Sequence, residues 1–350
     1  MTSLAINGGN ISPRTFREPQ LELVANNAWC DASTHDKKIA QSLIHPEAIW
    51  ETEFLGCRDG EASQRSNLHS LHYNLAFDRS NLMLEHIAAV KRAKRSMPHI
   101  FSLPGLSEHI ESPMRRRLQD GLADRLMHSP FTSIGSNGMD GGFSNDRSSY
   151  DTAIEQRLTL FRTLQQRPDV LGIGTSKGAV QMNGIANRNL DEGEPVKFRG
   201  LVYFSPAIVE PQKVFGHMVL RFPLRTGFDA VRQTMRLTKE ERHEVLSGAG
   251  EQAAQFGMDM PTIANEIVHL LPGMRRELTE RVVAHHRVLV ITGATDAVGE
   301  KKMWRSIQEK YPDNLKLVVI PKRGHDLMMF RDAPDMLVKH IHESGILETH

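Results

Sequence analysis

Three stretches of this chain end an apolar run on a residue able to take part in nucleophilic catalysis. Leu171 to Ala179 contains Gly174-Thr175-Ser176-Lys177-Gly178, which fits the pattern G-x-S-x-G. Val288 to Ile291 is apolar and leads through Thr292-Gly293-Ala294-Thr295 to Asp296. Leu317 to Ile320 is apolar and leads through Pro321-Lys322-Arg323-Gly324 to His325. A serine hydroxyl is a weak nucleophile at neutral pH. It needs a base to take its proton, and the base needs an acid to orient it. Ser176, Asp296 and His325 occur in the order serine, acid, histidine that suits a nucleophile carried on a strand-to-helix turn.

The turn matters because it holds the serine in a strained backbone conformation and lifts its hydroxyl clear of the strand. Glycines on either side leave room for neighbouring chain. The helix that follows brings its positive end and unpaired N–H groups close to a developing oxyanion. Other readings of the same residues stay open. Gly172, Gly174 and Lys177 could belong to a phosphate-cradling turn, although neither G-x-x-x-x-G-K-[ST] nor G-x-G-x-x-G is present. Asp296 could cap the helix expected near Lys301. Asp326 is a rival acid beside His325. The chain has 17 histidines, and most must serve surface or packing roles.

These residues need elements to position them. From His99 onward, short apolar runs alternate with longer helical patterns. Strands are expected at His99 to Leu103, Phe131 to Ile134, Asp169 to Ile173, Phe198 to Phe204, Arg287 to Thr292 and Leu315 to Ile320. Helices are expected at Pro113 to Met127, Tyr150 to Arg167, Lys177 to Arg188, Lys301 to Tyr311 and Pro334 to Glu343. This alternation implies an α/β fold with a mostly parallel sheet and helices on both faces. Such sheets place their chemistry at the carboxyl ends of the strands, where Ser176, Asp296 and His325 all fall. Residues 207–284 interrupt the alternation with helical patterns, including Lys239 to Leu246 and Thr262 to Leu271. They read as a helical lid over those strand ends. The first 40 residues read as an extended arm. Short apolar patches between 45 and 78 suggest the first strands of a sheet. Asn81 to Arg95 reads as a helix with Leu82, Leu84, Ile87, Ala88 and Val90 on one face and basic residues at its end.

Lys and Arg total 43 against 42 Asp and Glu. That balance gives no reason to expect a nucleic acid or an anionic membrane as partner. The two cysteines, Cys30 and Cys57, allow no framework of disulfides and fit free thiols in a reducing compartment. No stretch approaches the length of a membrane span, and the opening residues lack the pattern of a secretory signal. The expectation is a cytoplasmic protein of unknown oligomeric state that requires neither cofactor nor metal.

The stretch from His99 to the C-terminus, about 250 residues, resembles the α/β-hydrolase family. The resemblance rests on the elbow Gly174 to Gly178, the acid turn Gly293 to Asp296 and the Gly324-His325 turn. It extends to Arg331-Asp332-Ala333-Pro334-Asp335 before the last helix. It implies an oxyanion hole made by the backbone N–H of Lys177 and, from the turn Pro104-Gly105-Leu106-Ser107, that of Leu106. It divides the chain into a segment 1–95 that it leaves unexplained, a core at 96–206, a lid at 207–284 and the rest of the core at 285–350. Serine at the elbow argues against members that use Asp there, the haloalkane dehalogenases and epoxide hydrolases. The implied activity is cleavage of a carboxylic ester or thioester through an acyl-enzyme. An acyltransferase or cyclising thioesterase would use the same triad, and a non-catalytic binding protein could keep the same fold. The substrate would be a small ester or thioester with an apolar group. Met218, Met235, Met258, Met260, Met274 and the Met328-Met329 pair could line its pocket or simply fill core.

Overall fold

The computed structural model describes residues 50–59, 68–77, 80–89, 96–105, 113–126, 129–136, 150–165, 167–208, 239, 242–243, 269–296, 298–325 and 327–348. Nine strands form one sheet: β1 (Trp50–Asp59), β2 (Leu68–Phe77), β3 (Ser80–Ala89), β4 (His99–Leu103), β5 (Phe131–Ser136), β6 (Val170–Thr175), β7 (Phe198–Phe204), β8 (Val288–Gly293) and β9 (Leu315–Ile320). Their spatial order is β1-β2-β3-β5-β4-β6-β7-β8-β9. The first three strands are antiparallel, and β3 joins β5 antiparallel. The six strands from β5 to β9 are parallel throughout.

The helices are α1 (Pro113–Arg125), α2 (Tyr150–Leu164), α3 (Lys177–Asp191), α4 (Arg276–His285), α5 (Lys301–Lys310) and α6 (Ala333–Glu343). Strand side chains alternate between two apolar layers, as a pleated strand requires. Phe101, Leu201, Tyr203, Val288 and Val290 pack with residues of α2, α3, α4 and α5. Ile100, Val202, Phe204, Leu289 and Ile291 pack with residues of α1 and α6. A sheet buried on both faces explains why β6 and β8 are apolar or small along most of their length. Each fully buried Leu, Ile or Phe contributes about 1.5–3 kcal/mol relative to exposure.

One expectation changes here. Asn81 to Arg95 was expected to be helical, but its described part is the strand β3. Leu84, Ile87 and Ala88 fit a helical face, but Leu82, Leu84, Ala88 and Val90 fit period two. What decides is pairing on both sides. All ten residues of β3 pair with β2, and Leu82 to Ile87 pair with β5. Tertiary hydrogen bonding overrides weak local propensity. Residues 90–95, with the basic cluster, lie outside the described residues. Of the two readings of the methionines, the described ones fit core filling. Met274 and Met328 are buried in the two core layers and are core filling.

The expected lid lies largely outside the described residues. Lys239, Arg242 and His243 are helical. The end of the interval belongs to the core's helical layer. In α4, Val282 and Val283 are fully buried. The Nδ2 of Asn187 in α3 donates to Leu278 O at 3.0 Å, and that of Asn183 donates to Thr279 Oγ1 at 3.4 Å.

Candidate active site

Strand β6 lies between β4 and β7 and is buried along its whole length. At its carboxyl end the chain reverses through Ser176, with φ 48° and ψ −110°, and α3 begins at Lys177. A non-glycine residue with such a φ costs on the order of 1–3 kcal/mol and persists only where its surroundings hold it. Here the hold is visible. Ser176 N–H donates to Phe204 O at 2.9 Å, and Ser176 O accepts from Ala179 N at 3.1 Å and Ala207 N at 3.2 Å. Both elbow glycines are required by close approach. A Cβ on Gly174 would stand 2.5 Å from Ala179 Cα, and one on Gly178 would stand 2.2 Å from Leu103 O.

The first N–H groups of a helix have no partner within it. Lys177, which follows Ser176, is the first residue of α3. The Lys177 side chain is buried. Gly178 abuts Leu103 and Pro104, so the turn that leads toward Leu106 is packed on the first turn of α3. Leu106 itself lies outside the described residues.

His325 follows β9 and Asp296 follows β8. Ser176 Oγ and His325 Nε2 are 2.8 Å apart. His325 Nδ1 is 3.1 Å from both Oδ1 and Oδ2 of Asp296. A carboxylate can only accept, so Nδ1 carries the proton and Nε2 presents its lone pair to the Ser176 hydroxyl. The Asp296 side chain is fully buried and that of His325 nearly so. Asp296 also accepts from Thr292 Oγ1 at 2.8 Å, Val298 N at 2.8 Å and Gly299 N at 3.0 Å. Burial pushes the Asp296 pKa up. The nearby His325 charge and the hydrogen bonds from His325, Gly299 and Thr292 outweigh it and bring the value to about 2. The carboxylate is therefore ionised at neutral pH.

The loops that carry Asp296 and His325 are fastened to each other. Thr295 N and Thr295 Oγ1 donate to Arg323 O at 2.9 and 3.0 Å, and Ala294 N donates to Ile320 O at 2.8 Å. Lys301 Nζ donates to Ala294 O and Asp296 O. The N-cap of α5 is Glu300, so the Asp296 carboxylate does not cap that helix and faces His325 instead. Asp326 lies outside the described residues. The three residues singled out in the sequence thus meet in one hydrogen-bonded chain.

Two contributors escaped the sequence reading. Thr292 supports the carboxylate from within β8, and its signal was a hydroxyl four residues before the acid. Arg115 sits buried in α1 and donates to Thr175 Oγ1. Its signal was a polar residue in line with Leu118 and Leu122 on the helix face that meets the sheet.

No protein-family model matches the sequence, and no curated protein matches it. Solved structures do. A thermostable carboxyl esterase from Bacillus coagulans is 15% identical, covers 85% of this chain and 99% of its own, and superposes with TM-score 0.52. A membrane phospholipase A described as a bacterial virulence factor is 12% identical, covers 80% and 87%, and has TM-score 0.52. Cfl2 from Burkholderia cenocepacia is 13% identical, covers 83% and 98%, and has TM-score 0.52. At such identities the likeness carries the fold alone. The chain has the α/β-hydrolase fold.

Proposed function

We propose that this protein is a serine hydrolase that cleaves a carboxylic ester or thioester through an acyl-enzyme. The observation that supports this most is the chain Ser176 Oγ to His325 Nε2 to His325 Nδ1 to Asp296, laid across the carboxyl ends of β6, β9 and β8. Two of the proteins sharing the fold are described as a carboxyl esterase and a phospholipase A, and both names denote ester cleavage.

In this reading Ser176 Oγ attacks the carbonyl carbon as His325 Nε2 takes its proton. Asp296 holds the imidazole in the required tautomer and stabilises its charged form. The tetrahedral oxyanion is held by N–H groups of Lys177 and Leu106, placed for the transition state rather than the ground state. Collapse expels the alcohol or thiol, which takes the proton from His325. Water then enters, loses a proton to His325 and attacks the acyl-enzyme; collapse releases the acid as His325 returns the proton to Ser176 Oγ. Strand β7 ends at Phe204, on the carboxyl edge of the sheet that carries Ser176, and the interval expected to form a lid follows it in sequence; in this reading it bears on substrate choice. No helix among the described residues is long and apolar enough to cross a membrane.

The test is a panel of esters and thioesters of graded acyl length, run on the wild type and on Ser176→Ala. The proposal expects turnover of at least one series by the wild type. It expects a loss of about a millionfold in the variant, as for other nucleophile deletions. Turnover by Ser176→Ala within about tenfold of wild type would overturn the assignment of the nucleophile.

A further inference from the structure

Below the elbow, on the face covered by α1 and α6, a polar seam runs through an otherwise apolar layer. Arg115 and Gln119 of α1 meet Ser102 of β4, Ser133 of β5 and Thr175 of β6, and all five are at most 1% exposed. Arg115 Nη2 donates to Ser102 Oγ at 2.6 Å, and Nη1 donates to Thr175 Oγ1 at 3.3 Å. Gln119 Nε2 donates to Ser133 Oγ, which itself donates to Ser102 O at 3.4 Å. Burying a guanidinium costs several kcal/mol, and an apolar side chain of similar volume often serves stability as well or better. Leu118 and Leu122, on the same helix, fill the neighbouring layer in that way. Stability alone gives little reason for an arginine here.

Its connections give one. Thr175 is the residue before Ser176. Ser102 lies one residue before the end of β4, where Pro104-Gly105 leads to Leu106. Helix α1 is the next element after that turn. A single guanidinium therefore ties the root of the nucleophile elbow to the root of the oxyanion turn and to the helix that follows it. Donors in an oxyanion hole must stand within about 2.7–3.1 Å of the forming oxyanion. A displacement of about 1 Å can cost a hundredfold in rate.

We propose that Arg115 is a positioning residue for the oxyanion hole. Through Ser102 and Thr175 it fixes the carboxyl end of β4 against the β6 elbow, and with it the turn Pro104-Gly105, whose start packs on Gly178 beside the Lys177 N–H. The proposal rests on the serine-hydrolase reading. Arg115 touches no substrate, and its effect is felt where charge develops in the transition state.

The test uses the full chain with four substitutions: Arg115→Met, Arg115→Lys, Ser102→Ala and Thr175→Val. Three quantities are read for each: kcat and KM on one activated ester, per active site titrated with a fluorophosphonate; the inhibition constant of a trifluoromethyl ketone, whose hemiketal oxyanion mimics the intermediate; and the melting temperature. For Arg115→Met the expected result is a kcat lower by roughly ten- to a hundredfold with KM within about threefold. The ketone should weaken by a matching factor, which a merely structural role would not produce. Arg115→Lys should recover part of both losses. Ser102→Ala and Thr175→Val should each lower kcat severalfold and add nothing in the Arg115→Met background. Unchanged kcat and ketone affinity per active site would overturn the proposal, whatever the melting temperature does. If Arg115→Met does not fold, the two hydroxyl variants decide by the same readouts. A wild type that neither turns over esters nor takes the fluorophosphonate would overturn the serine-hydrolase reading itself, and this proposal with it.

Discussion

The imidazole of His325 faces Asp296 side-on, with Nδ1 equidistant at 3.1 Å from the two carboxylate oxygens. Both oxygens are held from behind, Oδ2 by Thr292 Oγ1 and Oδ1 by the N–H groups of Val298 and Gly299. The Asp296 carboxylate is thus fixed by its own strand end and loop as well as by the histidine. Asp296→Asn would present an amide that can donate to Nδ1 and so favour the wrong tautomer. The expected result is a fall in kcat of about ten-thousandfold, measured on one ester with circular dichroism to confirm folding. Asp326→Asn is expected to cost far less. The reverse ranking would move the orienting role to Asp326.

The same carboxylate makes stability depend on pH. Its pKa is about 2 in the folded state, against an ordinary 3.8. A lowered folded pKa contributes stability that is fully present above the unfolded value and is lost as pH falls from about 4 through about 2. The contribution is on the order of 2 kcal/mol. Urea unfolding at pH 6, 4 and 3 should show a wild-type stability that falls more steeply than that of Asp296→Asn. Parallel pH profiles for the two proteins would contradict this.

Strain at Ser176 can be separated from chemistry. Glycine at this position removes the cost of a positive φ, about 1–3 kcal/mol, and adds about 0.5–1 kcal/mol of unfolded-state entropy. Alanine keeps the strain. Ser176→Gly should therefore be more stable than Ser176→Ala by about 1 kcal/mol in urea unfolding, with both inactive. Equal stabilities would mean that the elbow stores no strain.

A lid over the strand ends should act on substrate choice. Replacing residues 209–268 by a short linker leaves Ile208 and α4 in the core. The expected outcome is a larger change in preference among acyl chain lengths than in turnover of a small activated acetate. If both respond alike in a folded variant, the segment is not a lid.

Much of the candidate site was legible because its residues sit at the carboxyl ends of parallel strands. Ser176, Asp296 and His325 each follow an apolar run, and β6, β8 and β9 were readable as runs of small or apolar residues. β3 was not, because Leu82, Leu84 and Ala88 follow period two while Leu84, Ile87 and Ala88 follow a helical face, and only pairing with β2 and β5 selects one. Arg115 was missed for a related reason. A buried charge on a helix reads as surface until the hydroxyls opposite it, Ser102 and Thr175, are known to be neighbours. Those partners lie on other strands, and no local spacing reveals them.

The central claim is that Ser176 is a nucleophile activated by His325, and covalent labelling tests it most directly. The wild type is treated with a fluorophosphonate and digested, and the modified residue is located by mass spectrometry. The account predicts one adduct per chain, on Ser176, absent in Ser176→Ala and formed far more slowly in His325→Ala. An unlabelled wild type, or an adduct on another residue, would contradict it.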